Sequence, residues 1–526
     1  MRCLWPLIVA SAVFAVPGCR PKGADEPASG LWLRVHCAGT ARIAAAADSA
    51  KLREIAALPE SAELRESLSR KLVTSFQQTL LRTTNAPSPD AADLLRPLFD
   101  EALTREFLFE CHGRSNAPTT WLLAVALEGD LARRWETNYR ALAARFNLGE
   151  LKKFNARSFG GWHVTQPDKR IIDYLEVGKW VIVGLGTDRR PLAAALQRAD
   201  KQGRPAPALG EAWLRAEGDL GRFSRALPLG DALTWPRVDL TVTARNTNLV
   251  ATARFTFPKA WPLEVPAWNV PTNLAHDPVV SFTAARGIEG LVQGLPLYQR
   301  LALTNAPQQA FFWAKSQIPF ESYVAAPLPG AGETLHEIAR RLPLVLGTNM
   351  QRRSAGEIRW ATNRVDLVWV GLPVVVPYLR TVKGPDGADF LFGGLFPQRS
   401  VRQPLPAELL AQLDRPALVY YDWEITEERL QQWRQLWQVW SLTTFLPGLE
   451  NPVMHTRWLT ALAPLLGNSV TEVTRTGPAE LSVLRRSHVG LTAFELVVLA
   501  RQVDELISGP ARRAPLPTPG RPPGTP

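Results

Sequence analysis

Two cysteines with neighbouring histidines are the residues whose types and spacing most suggest chemistry. Cys37 follows His36, and Cys111 precedes His112. The alternation of apolar residues around each cysteine predicts two strands whose thiols lie on core faces. If these strands are neighbours, the two sulfur atoms can meet, and an even pair of cysteines in an oxidising compartment is typical of a disulfide. The sequence therefore predicts a disulfide between Cys37 and Cys111.

Two alternatives remain open for these residues. The same alternation allows two buried thiols that do not bond to each other. A zinc site is the other alternative, but His36 and His112 point to the opposite sides of their strands from the cysteines, so four ligands converge only if a bulge intervenes. Neither pair has the C-x2-C spacing that is typical of structural zinc. We therefore predict neither a metal nor a cofactor.

The sequence lacks the motifs of the common catalytic sites. It contains no G-x-S-x-G, no H-E-x-x-H and no phosphate-binding loop. The segment closest to a dinucleotide motif, residues 181–189, lacks the third glycine that allows close helix packing. We predict no catalytic residue, and an enzyme with an unrecognised site remains an alternative.

Tryptophan is present in excess, with 18 residues. Trp433, Trp437 and Trp440 recur at i, i+4 and i+7 and fall on one side of a predicted helix. One interpretation is that this stripe packs in the core. The other is an exposed aromatic face that binds a glycan, a lipid or a partner helix. The period alone does not distinguish the two, because both need one apolar side.

The elements that carry these residues alternate between strands, turns and helices. Aromatic-rich strands, each followed by a polar turn and a helix, are expected to begin at residues 31, 121, 213, 279 and 417. Hairpins are expected at residues 238–257, 357–372 and 469–486. Strand–helix units interrupted by hairpins predict an α+β fold of diverged repeated strand–helix–hairpin modules, with mixed or antiparallel sheets and flanking amphipathic helices.

The N-terminus has the pattern of an export signal. Residues 4–16 are apolar, follow a positive residue and are too few to span a membrane. They run into the sequence VPGC at residues 16–19, which resembles the lipobox of bacterial lipoproteins. The resemblance implies that Cys19 becomes the first residue of the mature chain and carries the lipids. Plain secretion and a retained anchor are the alternatives.

Composition divides the remaining chain into regions. A signal peptide (residues 1–18) and a flexible tether (19–30) precede an N-terminal α+β region (31–230), a middle α+β region with hairpins (231–400), a C-terminal tryptophan-rich α+β region (401–508) and a proline-rich disordered tail (509–526). The body also loosely resembles exported bacterial proteins of unknown function built from such repeated units. That resemblance rests on the order of elements and implies no site residues.

Charge and composition limit the classes of partner. The net charge is +11, but the arginines are scattered, whereas a nucleic-acid-binding protein concentrates its charge in a patch. We therefore predict no nucleic-acid partner and a membrane contact through the N-terminal lipid. The expected function is that of an extracytoplasmic, membrane-anchored scaffold or interaction protein that binds an envelope protein or polymer. A protein that binds a glycan or lipid ligand is the second hypothesis.

Overall fold

A computed structural model describes residues 30–81, 91–114, 117–166, 169–226, 234–260, 265–316, 321–353, 356–372, 374–396, 403–444 and 454–508. Cys19, the predicted signal peptide and the proline-rich tail lie outside these residues, as do the side chains of Trp437 and Trp440. Within the described ranges, no helix is both long and apolar enough to cross a membrane.

The described residues form twenty strands that hydrogen-bond into one sheet, and every neighbouring pair is antiparallel. The first ten are β1 Gly30–Cys37, β2 Phe107–Arg114, β3 Ala117–Ala126, β4 Leu151–Ala156, β5 Phe159–Thr165, β6 Ile171–Val177, β7 Trp180–Gly186, β8 Leu214–Asp219, β9 Arg237–Arg245 and β10 Asn248–Thr256. The last ten are β11 Val279–Arg286, β12 Gln309–Lys315, β13 Ser322–Pro327, β14 Glu357–Trp360, β15 Leu367–Val370, β16 Tyr378–Lys383, β17 Asp389–Gly394, β18 Leu418–Ile425, β19 Asn468–Gly477 and β20 Glu480–Ser487.

Helices follow or interrupt these strands. They are α1 Thr40–Ala45, α2 Ala50–Ala57, α3 Pro59–Leu81, α4 Ala92–Thr104, α5 Asp130–Arg145, α6 Arg190–Gln202, α7 Glu289–Gly294, α8 Pro296–Leu301, α9 Ala331–Arg353, α10 Ala407–Ala411, α11 Thr426–Thr444, α12 Met454–Leu462 and α13 Ala493–Ser508. Together with the antiparallel strands they confirm the predicted α+β class.

The strand order is the same in the two halves of the chain. The first ten strands lie in the order β4-β5-β6-β7-β3-β2-β1-β8-β9-β10. The last ten lie in the order β14-β15-β16-β17-β13-β12-β11-β18-β19-β20. The two sets, here called the N-terminal and C-terminal halves, meet where β10 pairs with β20.

Local sequence explains the hairpins. Asn246 and Thr247 connect β9 to β10 and both have positive φ, the conformation that a two-residue turn between twisted strands requires. The predicted hairpins at residues 238–257, 357–372 and 469–486 are confirmed as the pairs β9–β10, β14–β15 and β19–β20.

Helices cover both faces of the sheet. In the N-terminal half, α4 and α5 pack on the face that carries Val35 and Val125. Helix α6 packs on the opposite face, against Leu108 and Ile182. In the C-terminal half, α9 lies on one face and α10 on the other. A core therefore forms on each side of the strands, because alternate residues of a strand point to opposite faces.

A helical cluster joins the two halves. Helices α2 and α3 from the N-terminal half pack with α11, α12 and α13 from the C-terminal half, through residues such as Ile55, Leu64 and Leu496. Trp458 lies at its centre with 0% exposure, and its Nε1 donates to Ser61 Oγ at 3.0 Å. These two residues are 397 positions apart, so this cluster depends on the completed tertiary structure.

The halves differ in the helices inserted after their first strands. Between β1 and β2 the chain carries α1 to α4, whereas between β11 and β12 it carries α7 and α8, of six residues each. Phe312 is the counterpart of Phe109, because Phe312 pairs with Thr283 of β11 and Phe109 pairs with Val35 of β1. Thr283 and Val35 are equivalent, since each lies four residues before a glycine with positive φ, Gly287 and Gly39. Phe109 packs against the N-terminal core, but Phe312 is 48% exposed. The shorter insertion therefore leaves part of the C-terminal sheet uncovered.

Candidate functional site

An open apolar groove of about 330 Å³ lies in the uncovered part of the C-terminal half. Its floor crosses five strands in register and consists of Phe312, Val324, Gly393, Leu379 and Leu367. Four strand spacings make this row about 19 Å long. The groove is therefore an elongated slot that runs across the strands.

Helix α9 bounds the groove on one side. Its Leu335 and Ile338 pack against Leu367, toward the outer strands, and its Leu342 lines the groove. In the N-terminal half, the counterpart of Leu379 is Tyr174, which is 1% exposed and donates its hydroxyl to a carbonyl of α5. The same row is thus closed by a helix in one half and open in the other.

The groove lining is almost entirely apolar. The lining residues are Phe312, Ser322, Tyr323, Val324, Leu342, Ile358, Leu367, Val368, Trp369, Pro377, Tyr378, Leu379, Gly393, Gly394 and Leu395. No carboxylate, imidazole, thiol, amine or guanidinium occurs among them. Ser322 Oγ is buried and has no hydrogen-bond partner among the described residues. A buried hydroxyl without a partner is unfavourable. A ligand with an acceptor oxygen can therefore gain affinity by accepting a hydrogen bond from this hydroxyl.

A second group of polar side chains lies at the start of α13, and we call it the Glu424 cluster: Asp422, Glu424, Arg429, Arg485 and Glu495. Asp422 and Glu424 are two residues apart on β18 and so share a face. Glu424 accepts a hydrogen bond from the backbone N–H of Ala493 at 2.7 Å. Asp422 accepts one from Thr283 at 2.6 Å. Arg485 Nη1 lies 2.6 Å from Glu495 Oε2.

Burial sets the protonation of this cluster. Burial raises the pKa of Glu424 to about 7, and the nearby charge of Asp422 adds to the rise despite the Ala493 N–H and Arg429. Burial also raises the pKa of Asp422, although Thr283 and Arg485 oppose it. Burial lowers the pKa of Arg429, and the two carboxylates oppose that shift. Asp422, Glu424 and Arg429 are only 5–8% exposed, so this buried part of the cluster offers no room for a substrate in the way that the groove does.

A third polar group, on the face covered by α6, is fully paired. Glu110 is 2% exposed and lies 2.9 Å from Arg34, 3.1 Å from His112 and 3.4 Å from Arg198. Burial raises the pKa of Glu110, but the His112 hydrogen bond and the two guanidiniums outweigh it and bring the pKa to about 2. Glu110 already has three charged or polar partners within the protein, so we interpret this group as structural.

The structure contradicts the predicted disulfide. Strands β1 and β2 are indeed neighbours, but Cys37 pairs with Phe107 and Cys111 pairs with Leu33. Four residues along the strand therefore separate the cysteines, about 13 Å. A disulfide needs Cα atoms roughly 4.4–6.8 Å apart. The two sulfur atoms are not bonded to each other, both side chains are buried, and burial raises the pKa of the Cys111 thiol to about 12.

The tryptophan stripe is only partly described. Trp433 is half-buried beside the helical cluster, with its ring 5.0 Å from that of Phe494 and the Arg429 guanidinium 4.9 Å above it. The side chains of Trp437 and Trp440 lie outside the described residues. The choice between core packing and an exposed aromatic face therefore stays a prediction for the stripe as a whole.

Sequence reasoning missed both the groove and the Glu424 cluster. The signals were present: residues 367–377 read LVWVGLPVVVP, an apolar run longer than a strand needs, and Asp422 and Glu424 interrupt an aromatic strand at a spacing of two. Neither signal indicates which residues from distant parts of the chain pack against these two segments. In the part of the chain that the structure covers, no three His, Cys, Asp or Glu side chains are placed to hold a metal ion.

Comparison with known proteins adds no assignment. No family model, no curated protein and no solved structure matches the chain.

Proposed function

We propose that the protein is a non-catalytic lipoprotein of the cell envelope that holds the hydrocarbon chain of a lipid in the groove. The observation that carries this proposal is the groove itself, an elongated apolar slot of about 330 Å³ that includes the Ser322 hydroxyl in its lining. Pockets of roughly this size bind small ligands, and predominantly apolar linings with few polar groups are typical of them.

The lining favours a lipid over the other candidate ligands. A glycan presents many hydroxyls, and each one buried without a partner lowers affinity. The groove offers the Ser322 hydroxyl and backbone groups, which are too few to satisfy a sugar ring, because the rings of Tyr323 and Tyr378 pack in the core on the opposite face. General acid–base or nucleophilic catalysis needs a titratable group beside the reacting atom, and the described part of the lining has no carboxylate or imidazole for that role.

The predicted anchor would place this groove near lipid. Residues 19–29 link the proposed lipid-modified Cys19 to Gly30, the first residue of β1. Eleven extended residues reach at most about 36–40 Å. This tether would keep the body close to a membrane surface, where lipid chains are abundant.

The first test measures binding of a fluorescent fatty acid to the purified protein. We expect Phe312→Asp to weaken binding at least tenfold, because a carboxylate at the floor must be desolvated when the chain enters. Leu297→Asp is the matched control, since Leu297 is similarly exposed, at 44%, but lies on α8 outside the lining. Equal affinities of Phe312→Asp and the unmodified protein would contradict the proposal.

A scaffold function is the second candidate, and exposed apolar residues favour it. Leu344, Val365, Val374 and Val376 are all 41–79% exposed and belong to the C-terminal half. Exposed apolar residues that cluster mark interaction surfaces. We would accept this candidate over lipid binding if Leu344→Asp removed a copurifying envelope protein while fatty-acid affinity stayed unchanged.

Anchoring through Cys19 has its own test. We expect Cys19→Ala to move the protein from the membrane fraction to the soluble fraction, because the lipids are the proposed source of stable membrane attachment. Metabolic labelling with a fatty acid gives the second measurement, and the label should be lost in the variant. Unchanged partitioning together with an unlabelled parent protein would exclude this anchor.

We also propose that the chain contains diverged repeated units, and that the repeat is one ten-strand half. The identical strand order of the two halves supports this proposal. Superposition of the ten strands of each half tests it. Strands that failed to overlay in sequence order would argue for two unrelated halves.

A further inference from the structure

We propose that the groove selects its ligand by chain length: it holds one straight hydrocarbon chain of about 15 carbons, with the methyl end at Leu367 and the polar head in water beyond Phe312. This inference rests on the proposed lipid function and adds the number of chains, their length and their direction. The ligand class is therefore a single-chain amphiphile, such as a free fatty acid or a lysolipid.

One end of the groove is closed by the protein itself. Leu367 is buried and packs against Leu335 and Ile338 of α9, which are also buried. Ile358 of β14 and Leu342 of α9 pack beside them and complete the apolar wall at this end. A ligand cannot continue past Leu367 without displacing buried side chains. This end therefore receives an apolar terminus and not a charged head, which would lose its hydration there.

The opposite end of the groove opens to solvent. Phe312, the last apolar residue of the floor on this side, is 48% exposed. Its register partner on β11 is Thr283, whose hydroxyl donates to Asp422 at 2.6 Å. The apolar floor therefore ends at Phe312. The described lining residues include no charged side chain that could pair with a head group, so the head stays in water at this end.

The length of the floor sets the length of the chain. From Phe312 to Leu367 the floor spans about 19 Å. A straight hydrocarbon chain advances about 1.25 Å per carbon, given a C–C bond of about 1.5 Å and an angle of about 111°, so the floor covers about 15 carbons. Gly393, in the middle of the row, has no side chain, whereas its counterpart in the N-terminal half is Val183. The chain can therefore cross β17 without obstruction.

The width of the groove admits one chain and not two. A second row of lining residues lies two positions along each strand from the floor, about 7 Å away. This row consists of Ser322, Leu395, Pro377 and Trp369. Carbon atoms in contact lie about 4 Å apart, so one chain is about 4–5 Å wide and two side by side need about 9 Å. The volume of about 330 Å³, spread over about 19 Å, gives a mean cross-section of about 17 Å², which is again that of one chain.

A series of saturated fatty acids tests the chain length in the full-length protein. Acids of about 6 to about 20 carbons, each below its critical micelle concentration, displace the fluorescent fatty acid. We expect affinity to rise about two- to fourfold per methylene up to about 15 carbons, because each methylene leaves water. Further methylenes lie beyond Phe312, so longer acids should gain less than about 1.5-fold per methylene. One probe molecule should bind per protein.

Leu379→Tyr is expected to shorten the groove. Its counterpart in the N-terminal half is Tyr174, and a ring at this position fills the floor between Gly393 and Leu367. The remaining floor spans two strand spacings, about 10 Å, so affinity should stop rising at about 8 carbons. Leu344→Tyr is the matched control, because Leu344 is 79% exposed on α9 outside the lining, and it should keep the parent profile. The series in the parent protein decides the length even if Leu379→Tyr does not fold.

The possible failures are distinguishable. An affinity that rises undiminished beyond about 18 carbons, or two probe molecules per protein, would overturn this inference and leave the lipid function intact. A lysolipid and an acid of equal chain length should bind within about threefold of each other, because the head keeps its hydration, and a larger loss for the lysolipid would overturn the direction of the chain. If neither the probe nor any acid binds, the proposed lipid function is wrong, and this inference with it.

Discussion

Replacing Trp458 with alanine is expected to lower the free energy of unfolding by about 3–5 kcal/mol, because the change empties the centre of the helical cluster. Trp458 is 0% exposed and is surrounded by Leu64 of α3 and Leu496 of α13. The substitution also leaves Ser61 Oγ without the indole N–H that now donates to it. Chemical denaturation measured by circular dichroism gives the change directly.

The matched control for Trp458 is Trp369→Ala. Trp369 is half-buried in the groove lining, so its removal discards less buried surface and should cost clearly less. If both variants lost the same stability, the helical cluster would not be the junction that holds the halves together. A biphasic transition in Trp458→Ala alone would indicate that the halves unfold separately once the cluster is broken.

Glu110→Ala is expected to lower the free energy of unfolding by about 1.5–3 kcal/mol, for an electrostatic reason. The substitution leaves the guanidinium of Arg34, and that of Arg198, without their buried partner. Removing one member of a buried ion pair is destabilising. The cost here is reduced because Arg34 keeps Glu217 at 2.9 Å and because the Arg34 and Arg198 side chains are 33% and 25% exposed. Glu63→Ala is the control, because Glu63 and Arg457 form an exposed pair that should contribute less than about 1 kcal/mol.

The pH dependence of stability gives an independent measurement of Glu110. Its pKa is lowered in the folded state, from an ordinary value of 4.5 to about 2. The stabilisation is therefore complete above about pH 4.5 and is lost as the pH falls toward 2, which corresponds to about 3 kcal/mol. Glu110→Gln should remove this acid-sensitive part. An acid transition unchanged in Glu110→Gln would assign the loss to other carboxyl groups.

The two pH effects have opposite signs and separate windows. Glu110 stabilises the folded protein above about pH 4.5, whereas burial raises the pKa of Glu424 to about 7, so the stabilisation from its proton is lost as the pH rises past that value. Stability should therefore be greatest in mildly acidic solution, between these values. The difference arises from the partners: Glu110 has two arginines and a histidine, while Glu424 has a carboxylate as its nearest neighbour along the strand.

Local features of the chain could be predicted from the sequence because they depend on a few consecutive residues. The hairpin at residues 238–257 follows from alternating residues around a turn whose residue types accept positive φ. Helix α6 begins at Arg190, with Pro191 in its first turn, where the missing N–H of proline costs nothing. The export signal and the tether are likewise local patterns, and they stay predictions.

The predicted disulfide between Cys37 and Cys111 was wrong because it depends on a feature that a local pattern does not contain. Alternation placed Cys37 and Cys111 on core faces of two strands, and both side chains are buried. Their separation depends on the register between β1 and β2, which is a property of the pair of strands and not of either one. Because the register places Cys111 opposite Leu33, four residues from Cys37, the two thiols are too far apart to form a disulfide.

The sequence by itself determined the α+β class, the hairpins and the burial of individual faces, because periodicity and turn residues act over a few positions. Only the tertiary structure decided the order of twenty strands, the groove and the Glu424 cluster. The groove exists because a short insertion after β11 leaves Phe312 uncovered, and the Glu424 cluster exists because α13 begins beside β18, 69 residues after Glu424. Both depend on which distant segments pack together, and neither periodicity nor turn residues carry that information, because they act over a few positions only.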